Sequence, residues 1–566
     1  MIPTTKKEIE TLGWDAPDII LFSGDAFIDH PAFGTAVIAR VLEDAGYRVA
    51  VVPQPNWRDD LRDFRKLGEP KLFFGVTSGA MDSMINHYTA AKRLRSNDAY
   101  TPGGKASFRP DYAVTVYTKI IKELFPQVPV VIGGIEASLR RLTHYDYWQD
   151  ALKPSILVES GADLLVYGMG ERPIRAIADA LAGGVPLKAL QSIPQVGYLC
   201  DSEPLVEHIS LASFEQCKAD KREFAANFNI IEDQANLMEA EMMVERCGER
   251  YVCINPPYPP ATEQEMDSIY ALPFTRKPHP RYRDKHISAY EMIKHSVTTH
   301  RGCFGGCNFC TLAAHQGKFI QSRTPESILA EVKELTTMPD FKGNISDLGA
   351  PTANMYRMKG RDRSLCAGCR RHSCLVPSRC KNMDTSHAEL LSLYNKVLKI
   401  PGIKNAYIGS GIRYDLFLDK DGYLDSTSKP YLEQLIAKHT SGRLKVAPEH
   451  TCDHVLKVMG KPSFKLFERL RVEFEEICHR KELRYQLVPY FISGHPGCRM
   501  EDMETLSRNP HLKNLFMEQV QDFTPTPMTR SSVMFYTGID PKNGKPLFVE
   551  RNPRKKQQQK SFFFKK

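Results

Sequence analysis

The 566-residue sequence predicts an α/β protein made of two consecutive halves, an N-terminal doubly wound parallel sheet followed by a partial barrel of six strand and helix units. Three observations predict this. Short apolar runs alternate with helix-like stretches through residues 1–200, and the alternation resumes after residue 286. Between its strands the second half carries a glycine- and cysteine-rich loop, Arg301-Gly-Cys-Phe-Gly-Gly-Cys-Asn-Phe-Cys310, where α/β folds of this kind place their chemistry.

In the first half, the runs at 18–22, 48–52, 71–76, 128–132 and 163–166 read as strands, with helices such as 36–45 and 172–182 between them. Gly46 is a plausible stop for the first of these helices. Strand followed by helix, repeated, implies a parallel sheet covered on both faces. Gly133-Gly134 and Gly168-Met-Gly170-Glu171 fall at the C-terminal ends of the fourth and fifth strands, the ligand-binding edge of such sheets, and structural turns are their leading reading. Residues 201–285 break the alternation and are expected to be a helical and Pro-rich connector. The stretch 214–246 is rich in helix formers, and Asn255-Pro-Pro-Tyr-Pro-Pro260 must be extended. Cys217, Cys247 and Cys253 lack ligand-like spacing and read as buried or incidental thiols.

The core of the second half is set at 286–550. Its strands are expected near Ser296, Ile345, Tyr407, Leu444, Leu487 and Val520, with helices at 325–335, 387–399, 430–439, 463–478 and 501–506 between them. Thr324-Pro325 reads as an N-cap with proline at the first helical position.

Cys303, Cys307 and Cys310 supply three thiolates on one tight loop, and Gly302, Gly305 and Gly306 let the backbone curl so that the sulfurs converge. Three ligands on a four-iron cluster leave one iron open to other chemistry. The alternative is structural zinc with His300 or His315 as the fourth ligand. Cys366, Cys369, Cys374 and Cys380 form a second group within the basic run 361–381, and four thiolates at short spacings point to metal, with zinc or an unidentified metal favoured over an auxiliary Fe-S cluster. Arg370, Arg371, His372 and Arg379 would offset its negative charge. Cys498, in His495-Pro-Gly-Cys498, could donate a hydrogen atom, with a packed thiol as the favoured reading.

Half of the 14 cysteines lie in these two groups, which suits metal ligation in a reducing compartment better than a disulfide framework. No apolar run approaches the roughly 18 residues that span a bilayer, and the N-terminus lacks a signal-peptide apolar region, so a cytoplasmic protein without membrane attachment is expected. The formal charge of +9 does not itself indicate nucleic acid. Arg551, Arg554, Lys555, Lys556, Lys560, Lys565 and Lys566 carry most of it in a C-terminal segment, 551–566, expected to be a disordered basic tail. Its Phe562-Phe563-Phe564 could dock on a partner.

Longer strings carry a family resemblance. The cysteine loop looks like the CxxxCxxC signature of radical S-adenosylmethionine (SAM) enzymes. Leu272-Pro273 with Arg276 and His279-Pro280, Thr299-His-Arg-Gly-Cys303, Asp347-Leu-Gly-Ala-Pro-Thr-Ala-Asn-Met-Tyr356, Ser410-Gly-Ile-Arg-Tyr-Asp415, Ala447-Pro-Glu-His450, Gly494-His-Pro-Gly-Cys498 and Gln519-Val-Gln-Asp-Phe-Thr-Pro-Thr-Pro527 resemble the YgiQ family of radical SAM proteins over nearly the whole chain. The resemblance implies a [4Fe-4S] cluster on Cys303, Cys307 and Cys310 whose open iron binds SAM, reductive cleavage to a 5′-deoxyadenosyl radical, and a reductant such as flavodoxin or ferredoxin. Carried over by position, Gly349 and Ala350 would meet the methionyl amine, Ser410, Arg413 and Asp415 the sugar or carboxylate, and Glu449 with His450 the nucleotide or a substrate proton. The first half resembles cobalamin-binding domains in fold. Cobalamin itself is not expected, because the motif DxHxxG is absent around His30, where positions 28 and 33 are Ile and Phe. The substrate is not legible. The competing function is a noncatalytic zinc or Fe-S metalloprotein that scaffolds RNA or protein.

Overall fold

The computed structural model describes residues 1–563 apart from 420, 514 and 516–518. The first half is organised around a nine-stranded sheet. Its strands are β1 (Ile19–Ser23), β2 (Val49–Pro53), β3 (Phe73–Thr77), β4 (Val130–Ile132), β5 (Leu164–Val166), β6 (Val196–Cys200), β7 (Ile209–Leu211), β8 (Met243–Cys247) and β9 (Arg250–Ile254). They lie in the order β7-β8-β9-β6-β5-β4-β3-β1-β2, and β2 through β5 pair in parallel.

Side chains alternate across these strands, and each face has its own core. Ile19, Leu21, Val49, Val51, Phe73, Val131 and Leu164 point into one, beneath the helices Gly34–Asp44 and Glu171–Ala182. Ile20, Phe22, Ala50, Val52, Phe74, Val130, Ile132 and Leu165 fill the other with Tyr117 and Ile121 of Ala113–Leu124 and with Leu157 of Ile156–Ser160. Burying both faces explains why the sequence shows continuous apolar runs in these strands.

Two expectations need correction. Residues 201–285 are not merely a connector. Their composition gives the helices Phe214–Ala219 and Lys221–Asn236, but β8 and β9 then form a hairpin around Gly248 (φ +62°) and extend the sheet. β9 pairs antiparallel with β6, and β6 with β5, so the sheet is mixed on this side. Cys217 and Cys253 are buried thiols. Nor are residues 551–563 a disordered tail. Pro553–Ser561 is a helix capped by Asn552, whose side chain accepts the Arg554 N–H. Lys556 Nζ donates to the Phe523 carbonyl at 3.1 Å, and the buried Gln559 accepts the Gly494 N–H at 2.9 Å. Phe562 and Phe563 pack on the second-half core, while Phe564 lies outside the described residues.

In the second half, β10 (Ser296–Thr298) pairs in parallel with β12 (Asp347–Gly349), and β11 (Asn344–Ile345) with β13 (Asn405–Ala406). Ile412 bridges in parallel to Val446 of β14 (Arg443–Glu449), which pairs with β15 (Gln486–Ser493), itself paired with β16 (Gln519–Asp522). All of these strands pair in parallel, within two two-stranded sheets and one three-stranded sheet. The helices Pro325–Thr336, Ala388–Leu398, Ser428–His439, Phe464–Arg480 and Met500–Ser507 fall between them, close to the predicted bounds. Thr324 accepts the Ser327 N–H as the expected N-cap, and Ile328, Val332 and Leu335 are buried. No helix among the described residues is long and apolar enough to cross a membrane.

Glu245 on β8 is fully buried, with Oε2 accepting the Thr143 N–H at 2.9 Å. Burial pushes its pKa up to about 7 from an ordinary value of 4.5. A carboxyl raised in the folded state favours folding fully below its unfolded pKa, and that contribution is lost as pH rises through the folded one. Urea unfolding should therefore show wild-type stability falling relative to Glu245→Gln between pH 4.5 and about 7, by roughly 3 kcal/mol in all. Parallel pH profiles for the two proteins would contradict this.

Candidate active site

The cysteine loop leaves β10 through a short strand, His300–Arg301, paired antiparallel with Gln321–Ser322. Glycine is required at two positions of the loop. Gly302 has φ +91°, and a Cβ there would meet the Phe319 carbonyl oxygen at 2.3 Å; Gly306 has φ +60°, and a Cβ there would meet Ser373 and His372 within 2.7 Å. Gly305 does not adopt positive φ and is needed for space instead, since Arg413 Nη1 would lie 2.4 Å from its Cβ.

The three cysteines face a small cavity with Arg141, Ile231 and His372 around it. Cys303 Sγ lies 3.3 Å from Thr352 Oγ1, and Arg413 Nη1 donates to Cys307 Sγ at 3.2 Å. Burial, reinforced by Cys307 and Cys303, pushes the Cys310 thiol up to about 12. Burial also raises Cys303, against the pull of Arg413. Buried thiols gathered this way ionise only beside added positive charge, which is what an iron-sulfur core supplies, so the donor set fits such a group.

The histidines named for the zinc alternative turn elsewhere. His300 uses Nδ1 on Thr299 Oγ1 (3.0 Å) and Nε2 on the Thr352 carbonyl (3.1 Å), and His315 Nδ1 meets Ser138 Oγ at 3.1 Å. Among the described residues, no three or more His, Cys, Asp or Glu side chains are arranged to hold a single metal ion.

A cavity of about 620 Å³ opens between the two halves. Gly133, Gly134, Gly168 and Gly170 line it from the first half, and Gly349, Ala350 and Ser410 from the second. The Gly349 carbonyl already accepts the Thr299 N–H at 2.9 Å. Ser410 donates its hydroxyl to Asp347, which also accepts the Gly409 N–H at 2.9 Å. Burial raises the Asp347 pKa.

Arg413 and Asp415 form a buried ion pair directed at Cys307. Glu449 ends β14 at φ +69°, a strained conformation for a residue with a side chain, and its Oε1 is 4.0 Å from Lys461 Nζ. Burial raises its pKa against Lys461 and Arg413. Strain and an unsettled charge in one buried carboxyl favour a functional role. His450 is buried with Nε2 3.6 Å from Cys498 Sγ, so these two predicted residues meet each other away from the cysteine triad's cavity.

Residues not singled out from sequence complete the site. Arg301 is buried against Glu171 and Tyr270, tying the glycine turn after β5 to the cysteine loop. Ser138 accepts the Gly168 N–H at 2.9 Å and meets His315 just after the triad. Adjacency to Cys303 was the available signal for Arg301, whereas nothing local marked Thr352, Ser138 or Lys461.

A UPF0313 protein of Porphyromonas gingivalis is 55% identical over 569 residues, covering 100% of this chain and 90% of the relative. The chain belongs to the UPF0313 family. This is the family of the YgiQ resemblance, and residues 1–296 match the Radical SAM N-terminal model. UPF0313 proteins of Bacteroides thetaiotaomicron (54% identical, 100% of this chain, 93% of the relative) and Methanocella arvoryzae (45%, 97% and 90%) are similarly close. Two structures of TsrM, a radical SAM methyltransferase from Kitasatospora setae, resemble the UPF0313 chain at 15% identity. One, with tryptophan and a SAM analogue bound, has a TM-score of 0.46 over 86% of this chain and 70% of its own. The other, with cobalamin and a [4Fe-4S] cluster bound, has a TM-score of 0.49 over 91% and 74%. The expectation that set cobalamin aside stands against a neighbour of which cobalamin is a bound ligand. The glycines read as structural turns do turn the chain, Gly134 at φ +81° and Gly168 at φ +70°, and in this UPF0313 chain they also line an open cavity.

Gly302→Ala should leave the UPF0313 chain folded by circular dichroism but lower the iron bound after anaerobic reconstitution several-fold, since the loop would have to move away from Phe319. Full iron content in this variant would contradict the close-packed loop.

Proposed function

We propose that this protein is a radical SAM enzyme whose second half forms a partial (β/α)6 barrel, with Cys303, Cys307 and Cys310 holding a [4Fe-4S] cluster at the C-terminal ends of the strands. The observation that carries the reading is three thiols of one glycine-turned loop facing a common cavity, met by Thr352 and Arg413 and by neither of the candidate zinc-ligating histidines. When bound, such a cluster supplies the electron that splits SAM into methionine and a 5′-deoxyadenosyl radical.

The chain's own residues would orient and shield. Arg413 tempers the charge of Cys307 through its N–H···S contact, and Asp415 fixes the guanidinium plane. Gly349, Ala350 and Ser410 would line the methionyl end of SAM, with the Ala350 carbonyl as the amine acceptor. Glu449, at the C-terminal end of β14, would meet the nucleotide. The interdomain cavity would take the substrate, and a one-electron donor of the flavodoxin or ferredoxin type would deliver the electron.

Anaerobically reconstituted protein with dithionite and SAM should yield 5′-deoxyadenosine and methionine, and Cys307→Ala should abolish both products. Neither product from wild-type protein with an intact cluster would instead favour a noncatalytic metalloprotein scaffold.

A further inference from the structure

The second cysteine group forms a site of its own. Cys366, Cys369, Cys374 and Cys380 line one cavity of about 1140 Å³. Local geometry gathers them from 15 residues of chain: the Cys369 N–H donates to the Cys366 carbonyl at 3.2 Å, and the Cys380 N–H closes a loop onto the Cys374 carbonyl at 2.7 Å. Asn382 Nδ2 donates to Cys366 Sγ at 3.4 Å, the kind of N–H···S contact that stabilises a ligating thiolate. Lys318 and Arg371 border the same cavity, and Arg379 anchors its wall through the Asp415 and Leu418 carbonyls at 2.8 and 2.7 Å. Four thiolates would therefore face cationic surroundings.

The space distinguishes the possible occupants. One zinc ion draws four sulfurs to about 2.3 Å from a single point, a closed and compact arrangement. These four cysteines border an open volume larger than a single ion takes. A cubane carries its ligands on separate irons and needs such room.

The site also abuts the first. The Cys374 N–H donates to the Phe304 carbonyl at 3.1 Å, and Ser373 Oγ donates to the Gly305 carbonyl at 2.8 Å. Ser373 Oγ then accepts the Leu375 and Val376 N–H groups at 3.0 Å, so this strap is bonded to the triad loop between Cys303 and Cys307. Cys374 and Cys380 pack in one apolar cluster with Cys303 and Phe304.

We infer that Cys366, Cys369, Cys374 and Cys380 bind a second iron-sulfur cluster, of the [4Fe-4S] class, fully ligated by protein and adjoining the first. Four thiolate ligands leave no iron open, so this cluster does not bind SAM. The inference rests on the second group's own residues and stands whether or not the first site performs radical chemistry.

The test reconstitutes the full chain anaerobically with iron and sulfide and measures iron, labile sulfide and zinc per chain, together with the electron paramagnetic resonance of the reduced protein with and without SAM. Wild type should hold about eight irons. The Cys303→Ala/Cys307→Ala/Cys310→Ala variant should keep about four, with a signal unmoved by SAM, and Cys366→Ala/Cys369→Ala should keep about four with a SAM-sensitive signal. Loss of all iron from the triple variant, one zinc per chain at the second group, or unchanged iron in Cys366→Ala/Cys369→Ala would each overturn the inference. Should the double variant fail to fold, the triple variant still decides. A wild-type signal that ignores SAM while about eight irons remain would count against the first site's reading alone.

Discussion

Everything at the active site depends on a backbone turn that only glycine can make. Three thiols on eight residues converge only if the chain doubles back, and the space for this is set by three neighbours already in place. The Phe319 carbonyl lies behind Gly302, the strap at His372 and Ser373 behind Gly306, and the Arg413 guanidinium above Gly305. A loop so enclosed is held in shape before any ligand arrives, which lowers the ordering cost of binding one. The cost appears in the Cys303 and Cys310 thiols, whose pKa values burial raises.

The first half is part of this enclosure. Glu171 follows the glycine turn at the end of β5 and neutralises the buried Arg301, two residues before Cys303. Ser138 links Gly168 to His315 on the far side of the triad. Two turns of the doubly wound sheet therefore grip both ends of the cysteine loop, and the interdomain cavity lies in the gap that remains. Its glycines bring backbone to the cavity wall, and the C-terminal edge of a parallel sheet is where such folds place ligands.

The sequence displays the parts of this that are local. The strands of the parallel sheet are legible because burial on both faces leaves unbroken apolar runs, and the helix at Pro325 because Thr324 and Pro325 mark its start. The triad is legible from spacing and glycines alone. β8 and β9 are not, because their pairing with β6 is a tertiary choice and a helix-forming composition runs into them. The C-terminal helix is hidden for a related reason. Its basic composition suggests a solvated end, yet Lys556 and Gln559 find buried backbone partners some 30 and 65 residues away. Arg413 was legible as a binding residue, but its contact with Cys307 joins positions 106 apart in the sequence.

The central claim is that three protein thiolates leave one iron open for SAM. It is tested most directly by electron-nuclear double resonance on the reduced, fully reconstituted protein with SAM labelled at its amino nitrogen. The account predicts a hyperfine coupling between that nitrogen and the cluster, lost in the Cys307→Ala variant. A wild-type sample with full iron content and no such coupling would contradict it.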